Sequence, residues 1–384
     1  MKRVSFIRAF ASLLIVSPAF YNLIFAQTAE DIKWERIISF PDIPGYQTVF
    51  CDFHQHTVFS DGHVWPDIRV LEALNDGLGA ISLTDHLEYL PHKDDIPFPD
   101  RNKVYTIARD AAKETNLLVI NGCEITRSMP PGHANAIFIT DANKLLDSDP
   151  IAVFREAKKQ GAFIFWNHPH WTTQNKNGTA VVTELHKQLF REGLINGIEV
   201  VNENSYSDEA LQIALDNNLT IMGSSDIHEL VSWVYKTSND EHRPMTLVFA
   251  SERTENGIKS ALENRRTAVW FKNTLIGLPE YLIPLINQSL QIKGSDVIVE
   301  HDEKANVVNV DIENISDADY ILENQKEFTF YNQPDIFIVK AHSNMRLQVK
   351  TLRVLTSFDL RFRVLNAVIA PNTHPVVTLK VNVN

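Results

Sequence analysis

The chain of 384 residues has only two cysteines, Cys51 and Cys123, and that scarcity is its first constraint. Two thiols make no disulfide framework, so stability has to come from a packed core. Each lies in an apolar run, out of phase with the polar residues nearby, and reads as a buried free thiol. Basic runs are scarce too: beyond the N-terminus none exceeds a pair such as Arg265-Arg266. With 36 Lys and Arg against 48 Asp and Glu, the formal charge is −12, and no field gathers long nucleic acid. Internal repeats and low-complexity segments are absent, and no Ser or Cys stands in a convincing nucleophilic triad. The 44% hydrophobic content is ordinary for a soluble globular protein and leaves room for two domains, or a barrel plus an addition.

Long apolar runs are confined to the start. Cationic "MKRVSFIR" precedes apolar "AFASLLIVSPAFYNLIF", and Ala26 is a plausible cleavage point. This pattern predicts a signal peptide over residues 1–26 and a protein that is periplasmic or secreted. The alternative is an uncleaved anchor. Against it stand Pro18 and a run barely long enough to span, so no stable membrane insertion is expected after cleavage. Cleavage removes Lys2, Arg3 and Arg8 and no acid, taking the formal charge from −12 to −15.

From residue 48 to about 250, short β-branched or aromatic runs alternate with amphipathic windows. The runs are "TVFCDFH", "GAISLTDH", "LLVINGCEI", "ANAIFIT", "AFIFWNH", "GIEVVN", "TIMGSSD" and "MTLVFA". Windows such as "WPDIRVLEALNDG" and "SDEALQIALDNN" carry apolar residues at three- and four-residue spacing. Such alternation predicts a parallel α/β sheet, open or closed as a barrel, over residues 27–274. "GLPEYLIPLINQ" reads as a connecting segment over 275–284. Residues 285–384 alternate with period two and predict a small all-β sandwich. That β domain is expected to serve intramolecular packing or oligomerisation, and its histidines form no cluster.

Polar residues gather where the first runs end. "CDFHQHTVFSDGH" supplies His54, His56 and Asp61, and two imidazoles two residues apart on a strand share a face. "LTDH" supplies His86, "GCEIT" Glu124, "GHAN" His133, "NHP" His168, and "SSDIH" Asp226 and His228. Singly, each has an ordinary explanation as a turn or loop residue. Repeated at strand after strand, they predict a metal site at the C-terminal edge of the sheet. Imidazole and carboxylate without thiolate suits zinc, manganese or iron.

These motifs together resemble those of the PHP (polymerase and histidinol phosphatase) superfamily over roughly residues 48–270. The resemblance implies a distorted seven-stranded (β/α) TIM-like barrel, three divalent metal ions and hydrolysis of phosphate esters. It implies one ion on His54, His56, Glu124 and Asp226, a second on Glu124, His133 and His168, and a third on Asp61, His86 and His228. His63 is the alternative to Asp61. The β domain looks like an appendage of exported bacterial members.

Three divalent ions against Asp61, Glu124 and Asp226 leave a pocket suited to a small phosphorylated substrate, with water activated at neutral pH. Arg127 could meet a phosphate oxygen or be a surface ion-pair residue. His170 could donate a proton to the leaving group or merely line the rim. Glu88 and Asp85 could orient ligating histidines, while His63, His92, His186 and His242 read as exposed. Two other functions stay open. A metal-dependent amidohydrolase shares the HxH strand but commonly bridges its metals with a carboxylated Lys, where this chain has Glu124. A non-catalytic metal-bearing binding protein is the other.

Overall fold

The computed structural model describes residues 37–236, 241–301, 305–353 and 355–383; the expected signal peptide lies outside them. Strands β1 (Gln47–Asp52), β2 (Ala80–Leu83), β3 (Leu118–Ile125), β4 (Ala134–Ile137), β5 (Phe163–Trp166), β6 (Gly197–Asn202), β7 (Ser205–Tyr206), β8 (Thr220–Ser224) and β9 (Met245–Ala250) come first. Helices α1 (Pro66–Asn75), α2 (Lys103–Ala112), α3 (Pro150–Lys159), α4 (Glu184–Arg191) and α5 (Asp208–Asp216) lie between them. A short α6 (Val231–Val234) precedes β9, and α7 (Glu255–Glu263), β10 (Thr267–Phe271), β11 (Thr274–Gly277) and α8 (Pro279–Ser289) follow it. Helix starts are chemically marked. Pro66 and Pro150 occupy first-turn positions, and Ser207 and Thr254 accept hydrogen bonds from the backbone N–H groups of Ala210 and Gly257.

The strands form one mixed, curled sheet of twelve. β1, β2 and β3 are parallel, as are β5, β6 and β8, but β4 runs antiparallel to both its neighbours, and β9 antiparallel to β1. The expectation of all-parallel strands fails at β4 for a length reason. Residues 126–133 are too few for a crossover, which needs a dozen or more, so the chain must reverse. The sheet curls until β8 lies beside β9 and β10, where threonine side chains make the contact. Thr246 Oγ1 donates to Gly223 O (2.8 Å) and accepts from Gly223 N (3.0 Å), and Thr267 Oγ1 donates to Ile221 O (2.8 Å).

The expected connecting segment is itself ordered: β11 runs straight into α8, with Pro279 in the first turn and Pro284 inside the helix. Beyond it, β12 (Leu290–His301), β13 (Ala305–Asn314), β14 (Tyr320–Asn324), β15 (Thr329–Phe330), β16 (Ile336–Val339), β17 (Ser343–Lys350), β18 (Ser357–Val364), β19 (Ala367–Val368) and β20 (Val376–Asn382) build two four-stranded sheets. Their orders are β12-β13-β17-β15 and β16-β14-β18-β20, and β19 leaves the domain to pair with β11 in the curled sheet. Among the described residues no helix is long and apolar enough to cross a membrane.

One apolar cluster runs through both parts. Ile38, Phe40 and Trp270 of the first join Leu282 and Leu285 of α8, and Val310, Phe362 and Val381 of the second. Ser39 N donates to Asp317 Oδ2 (3.1 Å), and Asn366 Nδ2 donates to both Asn273 O and Asp319 O (2.7 Å each). Both cysteines are buried and free. A shared core predicts shared unfolding. Leu285→Ala is expected to cost about 2–5 kcal/mol and to lower one transition, seen alike by tryptophan fluorescence and far-UV dichroism. All six tryptophans precede residue 271. Two separated transitions would contradict the continuity of the core.

Candidate metal centre

Backbone bonds first set the frame. Gln55 bridges Ile227 between the two histidines of the first motif, and His56 N donates to Ile227 O (3.0 Å). The bend after His56 is held by Asp85, which accepts from Thr57 N (2.8 Å), Thr57 Oγ1 and Ser60 Oγ (2.6 Å). Asp85 thus positions the loop of the first motif rather than a histidine ring. Gly62 is required there, because a Cβ would sit 2.5 Å from the carbonyl carbon of His56. Leu87 N donates to Glu124 O and Glu124 N donates to Asp85 O, lacing the ends of β2 and β3. His133 enters from the start of antiparallel β4, which brings it to the same edge as the C-terminal ends of its neighbours.

The nine expected donors meet in one cavity region. His54 Nε2 lies 3.1 Å from His56 Nε2, and both lie 3.0 Å from Asp226 Oδ1. Glu124, fully buried, has His86 Nδ1 at 2.6 Å, His133 Nδ1 at 2.9 Å and His168 Nε2 at 3.6 Å. Asp61 has His86 Nε2 at 3.4 Å and His228 Nε2 at 3.3 Å. Four groups have donor atoms within 4.8 Å of one another: His56, Asp61, His86 and His228; His54, Glu124 and His168; His54, His56 and Asp226; His86, Glu124 and His133. His63 is exposed and outside all four.

Orphaned atoms test whether cations fit. Asp61 Oδ1, Glu124 Oε2, Asp226 Oδ1 and His168 Nδ1 are buried without a hydrogen-bond partner. Buried acceptors facing other nitrogen and oxygen donors are costly unless a cation or proton stands among them. The residues present fit divalent metal ions.

Without metal, protons fill that role. His86 is pushed up to about 11: burial opposes its charge, but the Glu124 carboxylate and the Asp61 hydrogen bond outweigh it. His228 rises to about 9 against burial, through Asp61 and Asp226. His56 falls to about 3 through burial and the charges of His228 and His86. Burial would raise Glu124 and Asp226, yet the surrounding imidazoles hold both well below the usual carboxylate range.

Three supporting residues were not singled out from the sequence. Glu199, in the centre of β6, is fully buried and accepts from His54 Nδ1 (2.8 Å), His168 N (2.7 Å), Asn202 Nδ2 (2.9 Å) and Ser224 Oγ. It fixes His54 so that Nε2 faces the cavity. Arg69 of α1, also buried, spends all five N–H groups on the site's frame. Nε donates to His56 O (2.9 Å), Nη2 to Ile227 O (3.1 Å) and His228 O (2.7 Å), and Nη1 to Glu229 O and Glu72 Oε2 (2.7 Å each). Asp52 accepts from Ser225 Oγ (2.5 Å) and pairs with buried Arg243 (3.1 Å), anchoring the residue before Asp226. A lone Glu in an apolar strand and an Arg in an amphipathic helix carry no motif, which is why the sequence pattern passes over them.

The remaining candidates separate. His170 lines the cavity with Nε2 2.8 Å from Ser205 Oγ, and burial lowers its pKa. Arg127 is not brought to the cavity: its Nη2 pairs with Glu88 Oε1 (2.8 Å) and donates to Asp147 O. Glu88 in turn accepts from Thr126 N (2.9 Å) rather than orienting a ring. His186, expected to be exposed, is buried, stacked 3.9 Å from Trp166 and bonded to Pro131 O (2.7 Å). His242 stacks 3.5 Å from Trp270.

A curled α/β sheet with buried, overlapping imidazole–carboxylate donor sets at one edge defines a metal-dependent hydrolase. The solved structure of a two-domain protein from Bacteroides vulgatus, described as containing a predicted PHP-like metal-dependent phosphoesterase, is 41% identical with a TM-score of 0.83. The match covers 90% of this chain and 99% of that one. An uncharacterised protein of Methanocaldococcus jannaschii is 38% identical over 243 residues, 61% of this chain and 99% of its own length. Residues 290–380 match the model of an Ig-like domain. The chain belongs to the PHP-like family, with a C-terminal Ig-like β domain.

Two predictions follow from the donor geometry. His86 and His228 must each shed a proton to become ligands, so metal uptake releases protons and affinity climbs as pH rises toward 9. Calorimetric titration in buffers of different ionisation heat measures that release, and uptake without it at neutral pH contradicts the assignment. Arg69→Met, which removes a buried five-bond anchor, is expected to cost about 3–5 kcal/mol. It should also weaken metal retention about 10–100-fold, read by elemental analysis after dialysis.

Proposed function

We propose that the protein hydrolyses small phosphate esters at a site of three divalent ions, zinc, manganese or iron, set in a distorted PHP-type barrel. The observation that carries this reading is the overlap of the donor sets: Glu124, His54, His56 and His86 each belong to two of the four. Groups that share residues lie side by side in the cavity, so ions held there would act on one phosphoryl group. In residue terms, His54, His56, Glu124 and Asp226 would hold one ion, Glu124, His133 and His168 a second, and Asp61, His86 and His228 a third. Divalent ions there supply Lewis acidity, which lowers the pKa of water and offsets charge on phosphoryl oxygens.

The chain's own residues hold the geometry. Glu199 keeps His54 aimed at the cavity, and Arg69 keeps the first and last motifs in register. Trp171, 5.1 Å from the His168 ring and 5.7 Å from His133, walls one side. His170, whose pKa burial lowers, stands with Nε2 2.8 Å from Ser205 Oγ and suits a hydrogen-bonding role at the rim. No Lys among the described residues lines the cavity, so nothing favours the amidohydrolase with its carboxylated Lys. The N-terminal segment 1–26 supports export, to the periplasm or beyond. A small phosphorylated molecule is then the partner, rather than long nucleic acid or a membrane.

The cavity holds about 180 Å³ and is walled largely by donors, which suits a terminal phosphoryl group. Protein without residues 1–26, loaded with manganese or zinc, is expected to turn over p-nitrophenyl phosphate faster than bis(p-nitrophenyl) phosphate. Glu124→Ala and Asp226→Ala should each lose more than about a hundredfold in turnover with circular dichroism unchanged. Unchanged turnover in both variants would sink the proposal.

A further inference from the structure

Two asparagines stand directly behind the donors, Asn135 within β4 and Asn167 between β5 and His168, and neither has any exposed surface. Buried side-chain amides are costly unless their hydrogen bonds are made. Asn167 Nδ2 donates to Glu124 Oε1 (2.9 Å) and to Asn135 Oδ1 (2.9 Å), and Asn167 Oδ1 accepts from Asn135 N (3.0 Å). Asn135 Nδ2 donates to Phe53 O and to Thr84 Oγ1 (3.2 Å each). Each amide hydrogen thus has an acceptor. The pattern also fixes the orientation of Asn167, since turning it over would set oxygen against Glu124 and NH2 against an N–H.

This chain of bonds ends on the central carboxylate. Asn135 lies opposite Glu124 in the β3–β4 ladder, a pairing that the reversal of β4 creates. Phe53 precedes His54, and Thr84 Oγ1 also accepts from Gln55 N (3.2 Å), between His54 and His56. Through two amides, Glu124 is tied to the ends of β1, β2, β4 and β5. Asn167 itself does not line the cavity.

The two oxygens of Glu124 face different donors. Oε1 faces His54 Nε2 (3.7 Å), His133 Nδ1 (2.9 Å) and His168 Nε2 (3.6 Å). Oε2 faces His56 Nε2 (3.6 Å) and His86 Nδ1 (2.6 Å), and is the oxygen without a hydrogen-bond partner. The Asn167 amide occupies one of the two lone pairs on Oε1 and holds the carboxylate against rotation about its last bond. The other lone pair of Oε1 stays for the side of His133 and His168, and Oε2 for the side of His56 and His86.

We propose that Asn167 is a positioning residue that divides the Glu124 carboxylate between neighbouring donor groups, one oxygen to each side. Without its bond the carboxylate is free to turn, both oxygens can close on one ion, and the adjoining group loses its bridge. This rests on the reading of the site as a phosphoesterase centre of several ions. An amide suits the task because it donates at every pH and adds no charge among the donors.

The test measures metal retained per chain by elemental analysis after dialysis, together with kcat and KM of the metal-loaded protein on p-nitrophenyl phosphate. Asn167→Asp keeps the size and the acceptor for Asn135 N, but sets an oxygen against Glu124 Oε1 and Asn135 Oδ1. It is expected to retain about one ion fewer than wild type and to lose about 10–100-fold in kcat, with KM little changed. Asn167→Ser, which withdraws the donor without adding charge, should move both in the same direction. Leu285→Ala, in the shared core, should lower the melting temperature alone, with metal content and kcat kept. Full metal content and kcat in both Asn167 variants would overturn the inference. So would the same losses in Leu285→Ala, or failure of both Asn167 variants to fold, since either outcome leaves Asn167 a role in stability only. If the wild-type protein retains no pair of ions, the reading of the site as a centre of several ions falls instead. If it retains them but refuses p-nitrophenyl phosphate, the phosphoester reading falls, while metal content still decides the part of Asn167.

Discussion

The structure turns on one fully buried carboxylate. Glu124 has five imidazoles within 4 Å, those of His54, His56, His86, His133 and His168. A lone carboxylate so deeply buried would be driven neutral by desolvation, and a lone imidazole likewise. Together they are tolerable only as an ionised cluster, with protons or metal ions between them. Everything around the cluster serves to keep these groups facing one another: Glu199 behind His54, Thr126 Oγ1 2.7 Å from His86 Nδ1, Asp85 under the loop that follows His56.

That requirement accounts for irregularities in the sheet. Donors come from the ends of six strands, and a uniform parallel sheet would leave the β3–β4 connection no helix to cross with. The reversal at β4 keeps His133 at the working edge with an eight-residue link. Positive φ at His168 and Asp226 bends two more donors inward at the points where β5 and β8 end. Arg69 then ties the carbonyls of the first and last motifs through one guanidinium, which a lysine, with a single ammonium, could not reproduce in the same geometry.

The sequence made the donors legible because metal ligation demands particular residue types, and their recurrence at strand ends is not accidental. The strand positions in residues 48–250 were equally legible, since period-two runs bounded by turns leave few other readings. Strand direction was not, because it depends on what lies between runs: the shortness of 126–133 decides β4, while the residue pattern of "ANAIFIT" is silent. Supporting residues stayed hidden for a related reason. Glu199 sits in "GIEVVN" as one polar residue in a core strand, and only the convergence of His54, Ser224 and Asn202 upon it reveals its part. Arg127 misled in the opposite way, being close in sequence to Glu124 while Glu88 and Asp147 draw it elsewhere. His186 misled because nothing in "ELHKQLF" says that its ring will meet Trp166 and cap its own helix through Thr183.

Among the described residues the C-terminal domain contributes none of the donors, yet it is not a detachable appendage. β19 completes the edge of the curled sheet, and α8 is packed on both sides by one apolar cluster. Between the two parts lies a cleft of about 720 Å³, lined by Asn204 and Tyr235 of the first and by Asp317, Asp319 and His342 of the second. Asn204 stands between Glu203 and Ser205, which line the donor cavity, so the two hollows meet at one short turn after β6. A disturbance at the domain boundary therefore has a short covalent path to the donor cavity, through Asn204 to its neighbours on either side.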